Sequence, residues 1–353
     1  MTIDPARLDS PQAGKALNRS AAILRAGGLV AFPTETVYGL GGNALDSATV
    51  QRIFAAKRRP AWDPVIVHIA PSTGADARPD AMLATLVREV PEGARRLMDA
   101  FWPGPLTLLL PRRADVPDAV TAGRALVGVR MPAHPVALEL IRRIGLPIAA
   151  PSANVFGHTS PTTAEHVIHD LDGRIEAVLD AGPTAHGVES TVLDPCQTPM
   201  VIYRPGAVTA EQIREIAGDV VLAAGGASAE TPTLPLASPG LTPRHYAPKA
   251  RLVLLEAPFD EISVRIREAV SSFSSEHVGI MLPAGLEVAE ENVEVVDWGR
   301  WDTPEELAHN LYAGLRALDE RRCTVILCPL PPGEGIGAAI ADRLRKAAHP
   351  VRG

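Results

Sequence analysis

Short apolar segments rich in valine, isoleucine and leucine alternate with helical segments along this chain, and that alternation most limits its possible folds. Continuous apolar runs of this kind are typical of strands that are covered on both faces. The pattern predicts an α/β fold, and the short loops between the middle strands favour a mixed sheet. The strands predicted in this part of the chain are residues 29–32, 65–69, 106–110, 127–131, 148–150, 178–180, 191–193 and 201–203.

A change of composition near residue 218 divides the chain. The stretch 223–248 is rich in Ala, Gly, Ser, Thr and Pro without a period, which is typical of a linker. A second α/β pattern follows, and 353 residues suit two domains. We predict a first domain over 1–217, a linker over 218–249 and a smaller C-terminal domain over 250–353. The C-terminal strands are predicted at 251–255, 278–282, 293–296 and 324–327, and its helices at 260–272, 303–318 and 336–348.

Charge and composition exclude several classes of protein. The net charge is −7 and aromatic residues make up 4%, which argues against a general RNA-binding protein. The three cysteines, Cys196, Cys323 and Cys328, form no C-x-x-C pair, so we predict neither a disulfide framework nor a zinc site. The sequence has no apolar signal core and no run long enough to span a membrane, so we expect a soluble, cytoplasmic protein.

Polar and charged side chains follow several predicted strands. Residues 33–41 place hydroxyls, a carboxylate and glycines after the first strand, which suits a small polar ligand or equally a glycine-rich turn. The cations of 57–59 end a helix, where they could neutralise the helix dipole or hold a polyphosphate. Arg130 stands in an apolar strand, so it is either paired structurally or binds an anionic ligand.

The predicted linker ends in an unusual segment, SPGLTPRHYAP at 238–248, which we call the strap. A passive tether would be rich in Gly and Ser throughout, whereas this one sets Arg, His and Tyr between prolines. Composition alone favours a rigid spacer over a segment that reaches into the first domain's site. The sequence contains neither a G-x-x-x-x-G-K-[ST] phosphate loop nor a G-x-S-x-G elbow.

Taken together, these segments resemble the Sua5/YrdC/YwlC family, the L-threonylcarbamoyladenylate synthases, in their full-length Sua5 form. The segments occur in the family's order over nearly the whole chain, and that joint pattern is far more specific than any one of them. They are PTETVYGLG (33–41), K-x-RP, DP and IVH (57–68), FWPGPLT (101–107), VRMP (129–132), PSAN through SPTT (151–163), GVEST (187–191), RPG (204–206), SPG…RHYAP (238–248) and the final GIGAAIADRLRKAA.

The resemblance implies a YrdC-like twisted mixed sheet domain and a smaller Rossmann-like α/β C-terminal domain. It implies a nucleotidyltransferase that joins L-threonine, bicarbonate or CO₂, and ATP into threonylcarbamoyl-AMP and pyrophosphate. A downstream transferase complex would use that product to modify adenosine 37 of tRNA. Mg²⁺ would accompany ATP, held mostly by phosphates and water. No protein nucleophile or protein metal site is expected, because the reaction needs positioning and charge neutralisation.

The resemblance also assigns site residues position by position. Threonine would be held by Thr36, His68, Arg130, Ala150 and Ser190, with Arg130 binding its carboxylate. The ATP side would be lined by Lys57, Arg59, Asp63, Ser152, Asn154, Ser160, Arg204, His245 and Tyr246. Because a water-labile acyl adenylate benefits from a lid, the resemblance reverses the preference for a passive spacer and makes the strap a lid.

Three positions depart from the family's usual pattern. Arg58 replaces a common glycine, Asp63 stands where Asn is usual, and Phe156 where serine is frequent. Asp63 matters most, because a carboxylate near a triphosphate is repulsive unless Arg59 or a metal pairs with it. Two other functions stay open, an RNA-binding module without turnover and a carbamoyl-adenylate-forming factor of the hydrogenase-maturation type, although the Cys clusters of the latter are missing.

Overall fold

The structure is a computed structural model that describes residues 1–71, 80–223, 236–242, 245–288, 290 and 292–348. Much of the predicted linker and two strap residues, 243 and 244, therefore lie outside the described residues. The first part of the chain contains α1 (Pro11–Arg25), β1 (Val30–Phe32), β2 (Gly39–Asn43), α2 (Ser47–Lys57), β3 (Ile66–His68), α3 (Asp80–Leu86), α4 (Glu92–Phe101), β4 (Leu106–Pro111), α5 (Asp118–Thr121), β5 (Leu126–Arg130), α6 (Pro135–Ile144), β6 (Ile148–Ala149), α7 (Ala164–Leu171), β7 (Ala177–Val178), β8 (Thr191–Asp194), β9 (Met200–Arg204), α8 (Ala210–Ala217) and β10 (Val220–Leu222).

These strands form one ten-stranded mixed sheet in the order β10-β9-β8-β4-β5-β3-β6-β2-β1-β7, which confirms the predicted fold class. Successive side chains of a strand point to opposite faces, and the core follows that period. Leu29 and Ala31 join one hydrophobic cluster, whereas Val30 and Phe32 join another beneath α1 and α6. The last strand, β10, pairs with β9 although its residues fall inside the predicted linker.

Strand directions bring distant segments to one edge of this sheet. β3 and β5 run parallel, so His68 and Arg130 are register partners at their carboxyl ends. β4 is antiparallel to β5 and parallel to β8, so β4 and β8 both begin at the edge where β5 ends. β9 is antiparallel to β8 and ends there with Arg204. The polar segments identified in the sequence therefore converge because of strand order.

The C-terminal part forms a second, smaller sheet that is entirely parallel, in the order β11-β14-β12-β13. Helix α9 covers one face, and α10 and α11 cover the other. This arrangement agrees with the expected Rossmann-like α/β domain. Its elements are β11 (Arg251–Leu255), a short 3₁₀ helix (Phe259–Glu261), α9 (Ile262–Ser272), β12 (Val278–Pro283), β13 (Val293–Gly299), α10 (Pro304–Glu320), β14 (Val325–Pro329) and α11 (Gly337–Ala347). Each helix of the described ranges is too short or too polar to span a membrane.

The two sheet domains share an apolar interface. One hydrophobic cluster contains Val37 and Val188 of the first domain, Tyr246 of the strap, and Leu311 and Leu315 of α10. A buried ion pair between Arg316 of α10 and Asp170 of α7 reinforces the contact, with Nη2 and Oδ2 2.8 Å apart. Burial of this apolar surface favours the docked arrangement of the domains.

Gly187 allows α10 to approach the first domain closely. Its φ is +72°, and a Cβ at this position would lie 2.3 Å from the carbonyl oxygen of Ala308. We expect Gly187→Ala to lower the free energy of unfolding through backbone strain of about 1–2 kcal/mol and overpacking of about 1–3 kcal/mol. Urea denaturation measures the loss. Gly173→Ala is the matched control, because Gly173 has a similar φ of +73° but open space around it. Equal losses in the two variants would show that the contact with α10 is unimportant.

Candidate active site

A pocket of about 520 Å³, including its opening to solvent, lies at the edge where these strand ends meet. Side chains of the first domain form most of its wall, and the strap closes one side. Its lining residues are Thr34, Thr36, Val37, Gly39, Arg59, Ile66, His68, Arg130, Ala150, Pro151, Ser152, Glu189, Ser190, Arg204, Pro239, His245 and Tyr246.

Arg130 is the buried cation at one end of the pocket, with 3% of its surface exposed. Its Nη2 forms an ion pair with Oε1 of Glu35 at 2.6 Å. Its Nη1 donates to the Thr36 hydroxyl at 2.9 Å, and its Nε donates to the carbonyl of Gly104 at 3.2 Å. A guanidinium has more N–H groups than these contacts use, so Arg130 can still bind a ligand carboxylate.

The turn after β1 holds the Thr36 hydroxyl in place. The Thr34 hydroxyl donates to the carbonyl of Val37 at 2.7 Å and lies 2.8 Å from the Thr36 hydroxyl. It also accepts hydrogen bonds from the backbone N–H groups of Thr36 and Val37. Threonine hydroxyls commonly stabilise such turns locally. Residues 33–41 therefore form the predicted turn, and Thr34, Thr36, Val37 and Gly39 of that turn line the pocket.

Two buried groups beside Arg130 take defined charge states. Burial alone would raise the pKa of Glu35, but Arg130 and backbone hydrogen bonds together hold that pKa below its ordinary value. Burial, reinforced by Arg130, lowers the pKa of His68 to about 3, so its imidazole is neutral near pH 7. Nδ1 of His68 has no hydrogen-bond partner among the described residues and is available to a ligand.

Ser190 and Arg204 form the other end of the pocket. Arg204 donates from Nε to the carbonyl of Ser190 and from Nη2 to its hydroxyl, both at 3.1 Å. The Ser190 hydroxyl also lies 2.8 Å from that of Thr107. Within the described part of the chain, Arg204 forms no ion pair with a carboxylate. Its charge is therefore available to an anionic ligand.

Arg59 and Asp63 form a second buried pair, with Nη2 and Oδ2 2.9 Å apart. The positive charge of Arg59 therefore compensates the negative charge of the carboxylate at position 63. Burial raises the pKa of Asp63 to about 6 against the lowering effect of Arg59 and Lys57. The Phe156 ring, where serine is frequent in the family, lies 5.8 Å from the Arg59 guanidinium and packs edge-on against His245. The aromatic ring thus helps to fix Arg59 and the strap.

Lys57 supports the pocket from behind. Its Nζ donates to the carbonyl oxygens of Ser152 at 2.5 Å and Asn154 at 2.6 Å. Burial, followed by repulsion from Arg59, lowers the pKa of Lys57 well below its ordinary value. The side chain of Lys57 thereby shapes the loop that presents Ser152 to the pocket.

Arg58 occupies the left-handed position that ends α2, with a φ of 54°. A Cβ is strained in the left-handed region, which explains why the family commonly has glycine at position 58. We expect Arg58→Gly to raise the free energy of unfolding by about 1 kcal/mol, because relief of strain exceeds the added entropy of the unfolded chain. Thermal denaturation measures the gain. Arg58→Ala keeps the Cβ and serves as control, and a similar gain in that variant would implicate the guanidinium instead.

The strap is attached to both domains. Its His245 backbone N–H donates to the carbonyl of Lys346, and its Ala247 N–H donates to that of Gly157. Burial, followed by Arg59 and Lys57, lowers the pKa of His245 well below its ordinary value. Tyr246 is buried and its hydroxyl touches Gly240, where a Cβ would lie 2.2 Å from it. The strap is therefore part of the pocket wall rather than a passive tether.

The structure brings most of the residues predicted from the sequence into one pocket. All five predicted to hold threonine line it. The predicted ATP-side residues that line it are Arg59, Ser152, Arg204, His245 and Tyr246. Lys57, Asp63, Asn154 and Ser160 lie outside the lining and contact residues or loops that form it. Asn154, for example, donates to the carbonyls of Val155 and His158, and Ser160 donates to Glu189.

Sequence analysis missed several residues of the pocket. Glu189 lines the pocket, and Glu35 pairs with the lining residue Arg130 without lining the pocket itself. Both are buried carboxylates paired with arginines. Each lies inside a segment already selected, 33–41 or 187–191, but no local signal shows which arginine it meets. The other lining residues not singled out are Thr34, Val37, Gly39, Ile66, Pro151 and Pro239.

Comparison with known proteins agrees with this fold. Residues 22–206 match the Sua5/YciO/YrdC family model, described as "Telomere recombination". Residues 208–349 match the model described as "Threonylcarbamoyl-AMP synthase, C-terminal domain".

Full-length relatives extend this similarity over both domains. Threonylcarbamoyl-AMP synthase of Pyrococcus abyssi is 45% identical, over 93% of each chain. The enzyme of that name from Bacillus subtilis is 44% identical, over 94% of this chain and 92% of its own. The crystal structure of P. abyssi Sua5 complexed with L-threonine superposes with a TM-score of 0.85 at 44% identity, covering 94% of each chain. With both family domains in their usual order, the chain belongs to the Sua5 family.

Proposed function

We propose that this chain is an L-threonylcarbamoyladenylate synthase, a nucleotidyltransferase that makes threonylcarbamoyl-AMP and pyrophosphate from L-threonine, bicarbonate or CO₂, and ATP. The observation that carries the proposal is one pocket lined by three buried arginines, Arg59, Arg130 and Arg204. Arg130 binds the threonine carboxylate, and Arg204 binds phosphate. Guanidinium groups suit both anions because they offer paired N–H donors. Full-length relatives that carry the same enzyme name support this assignment.

The proposed chemistry requires alignment more than covalent help from the protein. The threonine amine attacks CO₂ and loses a proton, which gives a carbamate. A carbamate oxygen then attacks the α-phosphorus of ATP, and the bond to pyrophosphate breaks. Both reacting groups are anions, so fixed cations lower the barrier by offsetting their repulsion. Thr36, His68, Ala150 and Ser190 would hold threonine beside Arg130, and Arg59 and Ser152 would assist Arg204.

Mg²⁺ is proposed to enter as part of the substrate, bound to ATP. In the described residues, no group of three His, Cys, Asp or Glu side chains could hold a metal ion. The three buried carboxylates at the site, Glu35, Asp63 and Glu189, each pair with an arginine. These pairings fit a metal that is held by phosphate oxygens and water.

The product is a reactive acyl adenylate, so a second enzyme has to consume it. We propose that a downstream transferase complex uses it to form threonylcarbamoyladenosine at position 37 of tRNA in the cytoplasm. The strap would protect the intermediate from water until release.

Pyrophosphate release from MgATP tests the function directly. The reaction is run with bicarbonate, with and without L-threonine, and the adenylate is identified by mass. We expect release to require both threonine and bicarbonate and to yield the mass of threonylcarbamoyl-AMP. Salt-sensitive RNA binding by folded protein without turnover would favour the RNA-binding module. Threonine-independent turnover in a parallel reaction that supplies a carbamoyl donor would favour the carbamoyl-adenylate alternative.

A further inference from the structure

The C-terminal domain supplies most of the partners of one carboxylate in the pocket wall. Glu189 precedes Ser190 and is 5% exposed. Its Oε2 accepts from Arg343 Nε at 2.8 Å and from the Tyr312 hydroxyl at 3.0 Å. Ser160 is its hydrogen-bond partner from the first domain. Burial alone would raise the pKa of Glu189, but Arg343 and Arg204 hold it below its ordinary value. Glu189 is therefore charged inside the proposed nucleotide pocket.

Arg343 of α11 contacts three parts of the pocket's frame. Besides pairing with Glu189, its Nη2 donates to the carbonyl of Pro205 at 3.0 Å, next to Arg204. Its guanidinium lies 5.0 Å from the centre of the Tyr246 ring of the strap. Only 1% of Arg343 is exposed, and its Nη1 also pairs with Asp342 of the same helix at 2.6 Å. Asp342 has a second cationic partner in Lys346, at 2.8 Å. One side chain of the C-terminal domain thus fixes a carboxylate, a backbone turn and the strap.

The pairing has a direct consequence for phosphate binding. An unpaired carboxylate beside Arg204 would repel phosphates and would compete for the charge of that arginine. Electrostatic interactions of this kind are strong where water is excluded. An ion pair with Arg343 leaves Arg204 as a cation without a carboxylate partner among the described residues. The C-terminal domain therefore affects the pocket without lining it.

We propose that Arg343 is a positioning residue through which the C-terminal domain sets the affinity of the pocket for ATP, by neutralising Glu189 and seating Tyr246. The proposal rests on the proposed function of this pocket as a MgATP site. It assigns the C-terminal domain a role in substrate binding, which docking of the two domains alone would not require.

A charge-removal series tests the proposal in the full-length chain. The KM values for ATP and threonine are measured for wild type, Arg343→Met and the double variant Arg343→Met/Glu189→Gln. We expect Arg343→Met to raise the KM for ATP about tenfold, because loss of one charged contact weakens binding by about that factor. The KM for threonine should stay within about threefold of the wild-type value. The double variant should recover most of the loss, because it removes the unpaired carboxylate as well.

The matched control removes another buried pair between the domains. Arg316→Met/Asp170→Asn deletes both charges of an ion pair that lies outside the pocket lining. We expect it to lower stability and leave the KM for ATP unchanged. If Arg343 served only domain docking, Arg343→Met and the control variant would have the same effect on the KM for ATP. The double variant Arg343→Met/Glu189→Gln would then recover none of the loss. Either result would overturn the proposal.

A pH series separates charge from packing. In Arg343→Met, the unpaired Glu189 should take up a proton as the pH falls, so the excess KM over wild type should shrink. An excess that is constant with pH would contradict the charge mechanism. If wild type proves to lack synthase turnover, the proposed function fails alone, and calorimetric MgATP binding by the same variants still decides the role of Arg343. A wild type that binds no nucleotide would overturn both.

Discussion

Replacing Arg204 with methionine is expected to raise the KM for ATP by about 10- to 100-fold while leaving that for threonine within about threefold. The variant loses a charged donor to phosphate, worth about 1.5–3 kcal/mol, and each 1.4 kcal/mol is about tenfold. The Ser190 hydroxyl keeps its contact with Thr107, whereas the Ser190 carbonyl loses the Arg204 donor, so stability should fall by about 1–3 kcal/mol. Steady-state pyrophosphate release at varied ATP measures the effect.

Arg204→Lys is the control for charge. Lysine keeps the positive charge but offers no planar pair of N–H donors, so it should restore only part of the affinity for ATP. Full restoration would indicate that charge alone matters at this position. A KM for ATP that is unchanged in Arg204→Met would show that the phosphates bind elsewhere in the pocket.

Removal of Arg130 should impair threonine use far more than ATP binding. Arg130→Met alone would also destabilise the fold, because loss of one partner of a buried ion pair costs about 3–5 kcal/mol of stability. The double variant Arg130→Met/Glu35→Gln removes both charges and avoids an unpaired carboxylate. We expect its KM for threonine to rise at least about 100-fold, since both the carboxylate contact and the placement of Thr36 are lost. Varied threonine at saturating ATP measures this.

Glu35→Gln alone is the matched control for the second experiment. It keeps the Arg130 guanidinium and should bind threonine much better than the double variant. If the double variant bound threonine normally, the Arg130–Glu35 pair would be only structural. If threonine and ATP use fell equally, Arg130 would not be specific to one end of the pocket.

Local sequence features were sufficient for much of the fold. Strand β11 (Arg251–Leu255) has the predicted bounds, because its apolar run is bordered by different composition. Strand β2 (Gly39–Asn43) was not predicted, because its sequence GLGGN lacks the β-branched and aromatic residues that are typical of a strand. Tertiary packing explains it: a Cβ at Gly41 would lie 2.7 Å from Phe32 of the adjacent strand. Such close approach is invisible in a single sequence.

The sequence by itself determined the family, the α/β class and the segments that supply the site, because apolar periodicity and motif order are properties of neighbouring residues. Tertiary structure alone decided which charges meet. Glu35 pairs with Arg130 because of strand order, and Glu189 pairs with Arg343 because of domain docking, across 154 residues of chain. Charge compensation depends on distances of a few ångströms, and only the folded chain sets those distances.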